Sequence, residues 1–313
     1  MTLALVAGVV GLVALAVDRG IGPLLAAEEC VAAVDGREVV LSLEQAENAA
    51  LISAVAERRG LPARAVTIAL ATAYQESKIV NIDYGDRDSL GLFQQRPSTG
   101  WGTPEQVMDP TYATNAFYDA LEQVDGYRDL EVTVAAQRVQ RSAFPDAYAD
   151  HEEDARVLAS ALRGHSRAAF HCTTSGGVEA SSPDPLPNGL TARADEVRRD
   201  LEEAFGQQSL GGFEPRGVSS GHMSGSTHYS GRAVDVFFRP VNDENKRRGW
   251  AMAHYLVAQA DRLDISTVIF DDRIWQSGRR SGEGWRDYRV PRSSSGDREV
   301  LEHRDHVHVD VHE

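Results

Sequence analysis

The segment Ser226-x-His228-x-x-Gly231-x-Ala233-x-Asp235, with Asp305-His306-Val307-His308 near the C-terminus, restricts the fold of this chain more than any other feature. His and Asp are good ligands for Zn²⁺, and three protein ligands plus a position left to water define a catalytic zinc site. A fold that uses them must gather His228, Asp235 and His308 at one point. Gly231 permits a turn between the first two, leading into a strand at Val234 to Phe238. Val307 to Val311 reads as a second strand. Its period of two puts His306, His308 and Asp310 on one face.

The motif resembles the D-alanyl-D-alanine carboxypeptidases and other LAS-type zinc peptidases, the group around the VanY carboxypeptidases and MepA murein endopeptidases. The resemblance spans about residues 190–313 and implies an α+β peptidase domain. It implies one Zn²⁺ held by His228, Asp235 and His308, lowering the pKa of a water towards ~7 and polarising an amide carbonyl. The family's base, three residues before the last ligand, corresponds to Asp305. In members ending in His-x-His the first His lies beside the metal, which here is His306. Both stand as carriers of the proton, with Glu302 a third candidate. Arg216 matches the upstream arginine that holds the substrate carbonyl, and Ser226 is assigned to substrate binding. His222 and Met223, in a Gly/Ser loop just before the motif, read as solvated rather than as touching substrate, and Asp271-Asp272 as a charged turn rather than a metal pair.

A second group lies earlier. Glu76 closes a mostly apolar run, Ala71-Thr-Ala-Tyr-Gln-Glu-Ser77. An apolar environment disfavours a charged carboxylate and raises its pKa, as a general acid near neutral pH requires. Gly85-Asp86-Arg87 and Gly91-Leu92-Phe93-Gln94 follow. From about Pro62 to Ser98 the pattern resembles goose-type lysozymes and the related lytic transglycosylases. The resemblance implies a lysozyme-like domain with Glu76 as acid, Asp86 positioning water and Gln94 touching sugar. Of four tryptophans, Trp101 is best placed to stack on a sugar; Trp250, Trp275 and Trp285 either stack or pack. Two departures are visible. Arg96 stands where goose-type enzymes often carry an acid, and Val139-Gln-Arg-Ser-Ala143 is a distorted counterpart of a transglycosylase segment. With one candidate base, hydrolysis and intramolecular transglycosylation both stay open.

Local signals divide the chain. Asp35-Gly36 marks a hairpin within Ala33 to Leu41. Ser42 with Gln45 forms a capping box for a helix to Arg59, stopped by Gly60. Helices are expected at Ala63–Ser77, Ala113–Gln123, Thr133–Gln140, His151–Arg163, Thr191–Phe205 and Ala251–Leu263, a strand at Thr267–Phe270, and a loop from Ile79 to Pro110. Ser181-Ser182-Pro183-Asp184-Pro185 lies in a linker. The expectation is therefore multidomain: residues 1–27 a signal peptide or membrane anchor, 28–172 a mainly α lysozyme-like domain, 173–189 a linker, and 190–313 the α+β domain.

A length of 313 residues suits two domains. The net charge of −15 argues against a nucleic-acid partner. Met1 to Val17 carries no charged side chain and reads as an export signal or anchor, cleaved or not. A single apolar run cannot form a translocation path, which disfavours metal transport. Cys30 and Cys172, the only cysteines, can pair in an oxidising compartment and tie the ends of the first domain. The expectation is a monomeric, extracytoplasmic peptidoglycan hydrolase, secreted or membrane-anchored, cutting both glycan strand and stem peptide. Two rivals are a non-catalytic wall-binding protein and a zinc peptidase with a purely structural first domain.

Overall fold

The computed structural model describes residues 27–142, 146–176, 181–290 and 294–313. Most of the expected leader, part of the expected linker and Ala143 lie outside these residues. No helix among the described residues is long and apolar enough to cross a membrane.

The first half opens on a hairpin, β1 (Glu29–Val34) and β2 (Arg37–Leu41). Its two turn residues, Asp35 and Gly36, have φ of 51° and 80°. Positive φ at both central positions matches the turn to the strands' twist, which is why Asp-Gly suits it. Strand β3 (Phe170–Thr173) pairs with the other edge of β1 and sets Cys172 opposite Cys30, and a disulfide joins them. This strand was not expected, because four residues alternating buried and half-buried leave too short a pattern to read. The bridge closes a loop with a sequence separation of 142. Such a closure restricts the unfolded chain by roughly 4–5 kcal/mol in the chain-entropy model. A C30S/C172S variant is therefore expected to melt about 10 °C lower in a calorimetric scan, and an unshifted Tm would refute this account.

Helix α1 (Leu43–Arg58) has the expected capping box, Ser42 Oγ accepting from the Gln45 N–H and Gln45 Oε1 from the Ser42 N–H. Helix α2 (Ala63–Ser77) is buried from Ala65 to Ala73, as its apolar sequence requires, and ends where Lys78 turns left-handed. The stretch from Ile79 to Pro110 is not all loop. It holds a 3-10 turn at Pro97–Thr99 and a short helix α3 (Pro104–Val107), for which Thr103 and Gln106 form a second capping box. Helices α4 (Pro110–Glu122), α5 (Val132–Gln140) and α6 (Glu152–Leu162) follow.

In the second half, α7 (Ala192–Phe205) precedes an antiparallel six-stranded sheet. Its spatial order is β4 (Leu210–Gly211), β5 (Ala233–Phe237), β9 (His306–Val311), β6 (Ile265–Phe270), β7 (Arg273–Gln276) and β8 (Arg286–Asp287). Helix α8 spans Asp243–Ala258, not 251–263. Asn242 caps it by accepting from the Asn245 N–H, and Asp243 and Glu244 favour its first turn. A four-residue helix, α9 (Arg298–Leu301), precedes β9.

Helix α8 packs on β6 and also on α1 and α6, so one apolar cluster runs through both halves. His254 Nδ1 donates to the Ala161 carbonyl at 2.8 Å, and Glu57 accepts from Arg163 at 2.8 Å and Arg247 at 2.9 Å. Trp250 packs edge-on against Phe270 and Trp285, and the Trp275 and Trp285 indoles donate to the Cys172 and Phe170 carbonyls. These three tryptophans serve packing.

Candidate metal centre and glutamate cleft

Strands β5 and β9 are neighbours, and their register sets Asp235 opposite His308. Directly opposed residues share a face at Cβ separations of about 5 Å, so the two side chains meet. His228 arrives from the side on a 3-10 turn, Thr227–Ser230. Ser226 Oγ accepts from the His228 N–H and starts the turn, and Gly231, at φ 67°, ends it. A Cβ on Gly231 would lie 2.3 Å from the Gly189 carbonyl oxygen, which fixes glycine there.

The donor atoms form a triangle. His228 Nε2 lies 3.1 Å from His308 Nδ1 and 3.3 Å from Asp235 Oδ1, and the last two are 2.9 Å apart. Ligands about 2.0–2.2 Å from a tetrahedral ion stand roughly 3.3 Å from one another, so these three atoms fit one ion. The other ring nitrogens are committed elsewhere. His228 Nδ1 donates to the Gly212 carbonyl at 2.7 Å, and His308 Nε2 to Asp310 Oδ1 at 2.8 Å. Each bond aims the facing nitrogen at the centre, where its lone pair can serve a cation once its own proton is displaced. Alternation on β9 thus holds as read: His306, His308 and Asp310 line one face.

The charges agree. Burial alone would depress His308, but Asp310 and Asp235 outweigh it and push its pKa up to about 10. Burial would raise Asp235, but hydrogen bonds from His228 and His308 hold it well below the usual carboxylate range. A buried site that holds one proton this firmly favours positive charge at its centre.

Gly212 makes the second contact that matters. It sits at φ 80°, and a Cβ there would lie 2.2 Å from His228 Cε1 and 2.5 Å from Nδ1. Gly212→Ala is expected to lower metal affinity by about 10–100-fold while the fold persists. Isothermal titration with Zn²⁺ checks it, and parent-like affinity would show that the space Gly212 leaves does not set the position of His228.

Asp305 is set back from the triangle. Its Oδ1 accepts from His306 Nδ1 at 2.7 Å, and its Oδ2 from Arg239 Nε at 2.7 Å and Nη2 at 2.6 Å. His306 Nε2 is thereby turned inwards, 3.8 Å from Asp235 Oδ1. Glu302 is tied to Arg298 and Arg304, each at 2.7 Å. Arg216 is exposed, four residues beyond Gly212. Ser226 acts on the backbone of the turn. Asp271 and Asp272 pair with Lys246, Arg167 and Arg304.

Two further histidines surround the centre. His222, which reads in sequence as a solvated loop residue, stacks on His228 with ring centroids 3.8 Å apart. His222, His228 and Asp235 form a cluster that could hold a metal ion. His303 lies 4.6 Å, ring to ring, from His306; burial, with His308 and His306 adding to it, lowers its pKa to about 3. The sequence signal for His222 is its place just before the zinc motif, and for His303 the histidine-rich ending.

Glu76, Asp86, Gln94 and Trp101 all line one cleft of about 1110 Å³. Glu76 occupies the last turn of α2, with Tyr148 Oη donating to its Oε1 at 2.7 Å. Burial raises the Glu76 pKa above its ordinary value, outweighing the hydrogen bonds from Tyr148 and Gln140. Gln94 Nε2 donates to the Tyr84 carbonyl at 3.2 Å, and a Cβ on Gly85 would lie 2.0 Å from Gln94 Oε1. The glycine of Gly-Asp-Arg therefore makes room for the glutamine of the later motif. Asp86 is 91% exposed. The next acid, Asp88, accepts from the Ser98 N–H and hydroxyl and from Arg96, which pushes its pKa down to about 2. Arg96 thus braces the loop under the cleft, which accounts for a base at that position. Arg87, Arg96, Arg138 and Arg141 also line the cleft, beside the acids Glu76, Asp86 and Asp125. Tyr148 was not expected at the site, since no motif marks it.

Residues 187–298 match a family model described as VldE, C-terminal domain. The match covers less than half of the chain; it includes His228 and Asp235 and stops before His308. A search of curated proteins returns no match.

Proposed function

We propose that this protein is an exported peptidoglycan hydrolase with two centres: a zinc peptidase site on the sheet and a glycan-cleaving cleft at Glu76. The convergence of His228 Nε2, His308 Nδ1 and Asp235 Oδ1 within 3.3 Å carries the reading. When bound, zinc supplies a Lewis acid that makes water a nucleophile near neutral pH and polarises the scissile carbonyl. The protein supplies the rest. Gly212 and Asp310 fix the two imidazoles, so little reorganisation is needed. His306, its Nδ1 hydrogen held on Asp305, presents Nε2 to take a proton from water and return it to the leaving amine. Asp305, clamped by Arg239, is then the positioning carboxylate and not the base.

In the cleft, Glu76 protonates the glycosidic oxygen while Gln94 and Trp101 border the sugar chain. The arginines there favour the carboxylates carried by a peptidoglycan strand. The Cys30–Cys172 disulfide suits an oxidising, extracytoplasmic compartment.

Mass spectrometry of purified sacculi digested by the parent, Glu76→Gln and His228→Ala tests the proposal. The first change should remove glycan products and the second peptide products, each independently. New reducing ends would indicate hydrolysis, and anhydro ends transglycosylation. Products of both classes from the double variant would overturn both assignments. An unchanged muropeptide profile with the parent would make the protein a binder.

A further inference from the structure

We propose that His222 is a fourth protein ligand that closes the metal centre, and that the Gly/Ser loop carrying it, residues 217–226, must withdraw before a peptide can bind. The inference rests on the zinc-peptidase reading above. His222, His228 and Asp235 each place a ligand atom within 4.8 Å of the other two. His222 is held there by a specific clamp. Tyr229 Oη donates to the His222 carbonyl at 2.6 Å and accepts from the His222 N–H at 3.2 Å. Tyr229 follows His228 directly, so ligand and loop share one anchor on the 3-10 turn.

The loop is built to move. Gly217, Gly221 and Gly225 stand at φ of 81°, 91° and 81°, and a Cβ on any of them would meet nothing within 4 Å. These glycines serve backbone freedom and not close packing. The neighbouring side chain, Met223, is 43% exposed. Its Sδ accepts from Ser294 Oγ at 3.7 Å.

Coordination chemistry supplies the consequence. Zinc with four protein ligands is closed, whereas a catalytic site keeps one position open. His222, His228, His308 and Asp235 would complete a tetrahedral set of three nitrogens and one oxygen. The protein would then be latent as folded, and a substrate that lifts the loop would open it.

The test uses the full chain loaded with Co²⁺, read by visible absorption with and without azide, beside Zn²⁺-loaded hydrolysis of a free stem peptide. In the parent the cobalt spectrum should ignore azide. In His222→Ala it should shift on azide addition, metal affinity should fall about tenfold, and peptide hydrolysis should rise. Added imidazole should restore the closed spectrum and suppress the gain. Tyr229→Phe, which keeps all ligands but loses the clamp, should give a partial version of both changes. Identical spectra and equal azide response in parent and His222→Ala would remove His222 from the metal and end the latch, leaving the zinc reading intact. A changed spectrum with lost hydrolysis would make His222 an essential ligand and also end it. Failure of both proteins to bind Co²⁺ or Zn²⁺ would defeat the proposed function itself.

Discussion

His228→Ala is expected to leave a folded protein that binds no zinc and hydrolyses stem peptide about 10³-fold more slowly, or not at all. Lewis-acid stabilisation by a bound ion is worth several kcal/mol in the transition state, and about 4 kcal/mol is roughly three decades in rate. The structure says why the fold should survive. His228 lies on a 3-10 turn beside the sheet, whereas the core is carried by β5, β9, β6 and α8. Circular dichroism should therefore be parent-like, while metal analysis after gel filtration falls from one equivalent to none. Glycan products should persist, because Glu76 and its partners belong to a separate cleft. Retention of a full equivalent of zinc with unchanged peptide products would remove His228 from the metal.

The same experiment has a pH arm. His308, with its pKa pushed up to about 10 by Asp310 and Asp235, carries a proton at neutral pH when no metal is bound. A cation must displace that proton from Nδ1. Apparent zinc affinity should therefore weaken as pH falls, by up to about tenfold per unit below the His308 pKa. In His228→Ala this dependence has no affinity left to act on.

Much of the centre was legible because its residues sit at fixed intervals on regular elements. A strand's period of two delivers His306, His308 and Asp310 to one face, and a glycine-ended turn delivers His228, whatever the rest of the fold does. The residues whose roles the sequence does not show are set by tertiary contacts. Gly212 matters because its carbonyl meets His228 Nδ1 across the sheet edge, and a glycine between Gly211 and Phe213 carries no mark of that. His222 depends on a clamp from Tyr229, and Tyr148 on the packing of the segment before α6 against α2. The same reason explains the second half's helix. Its start at Asp243 follows from Asn242 as cap, while the polar first turn Asp-Glu-Asn-Lys-Arg-Arg has no apolar periodicity to read. The roles of Asp305 and His306 needed geometry too, since Asp305 lies just before β9 and nothing in the sequence says that its carboxylate holds His306 Nδ1.

In the cleft the largest effect should come from Glu76→Gln, which is expected to cut glycan cleavage by about 10²–10⁴-fold, the usual contribution of a general acid. The amide keeps the shape and the Tyr148 neighbour but has no proton to give. The pH dependence follows from the direction of the shift. Burial raises the Glu76 pKa above 4.5, so the acid is loaded at low pH and activity declines as pH rises through the raised value. Tyr148 donates to the ionised carboxylate and so lowers that pKa. Tyr148→Phe should move the alkaline limb to higher pH, a readout that a purely structural role would not shift. Stability runs the same way. Because the folded-state pKa lies above the unfolded one, the contribution of neutral Glu76 is complete below about pH 4 and is lost as pH rises past the folded value. Glutamine is neutral throughout. Glu76→Gln should thus melt with the parent near pH 4 and above it near pH 8, even as it stops cutting glycan. Equal melting at both pH values would show that Glu76 is not held in a desolvating environment, and the general-acid assignment would lose its physical basis.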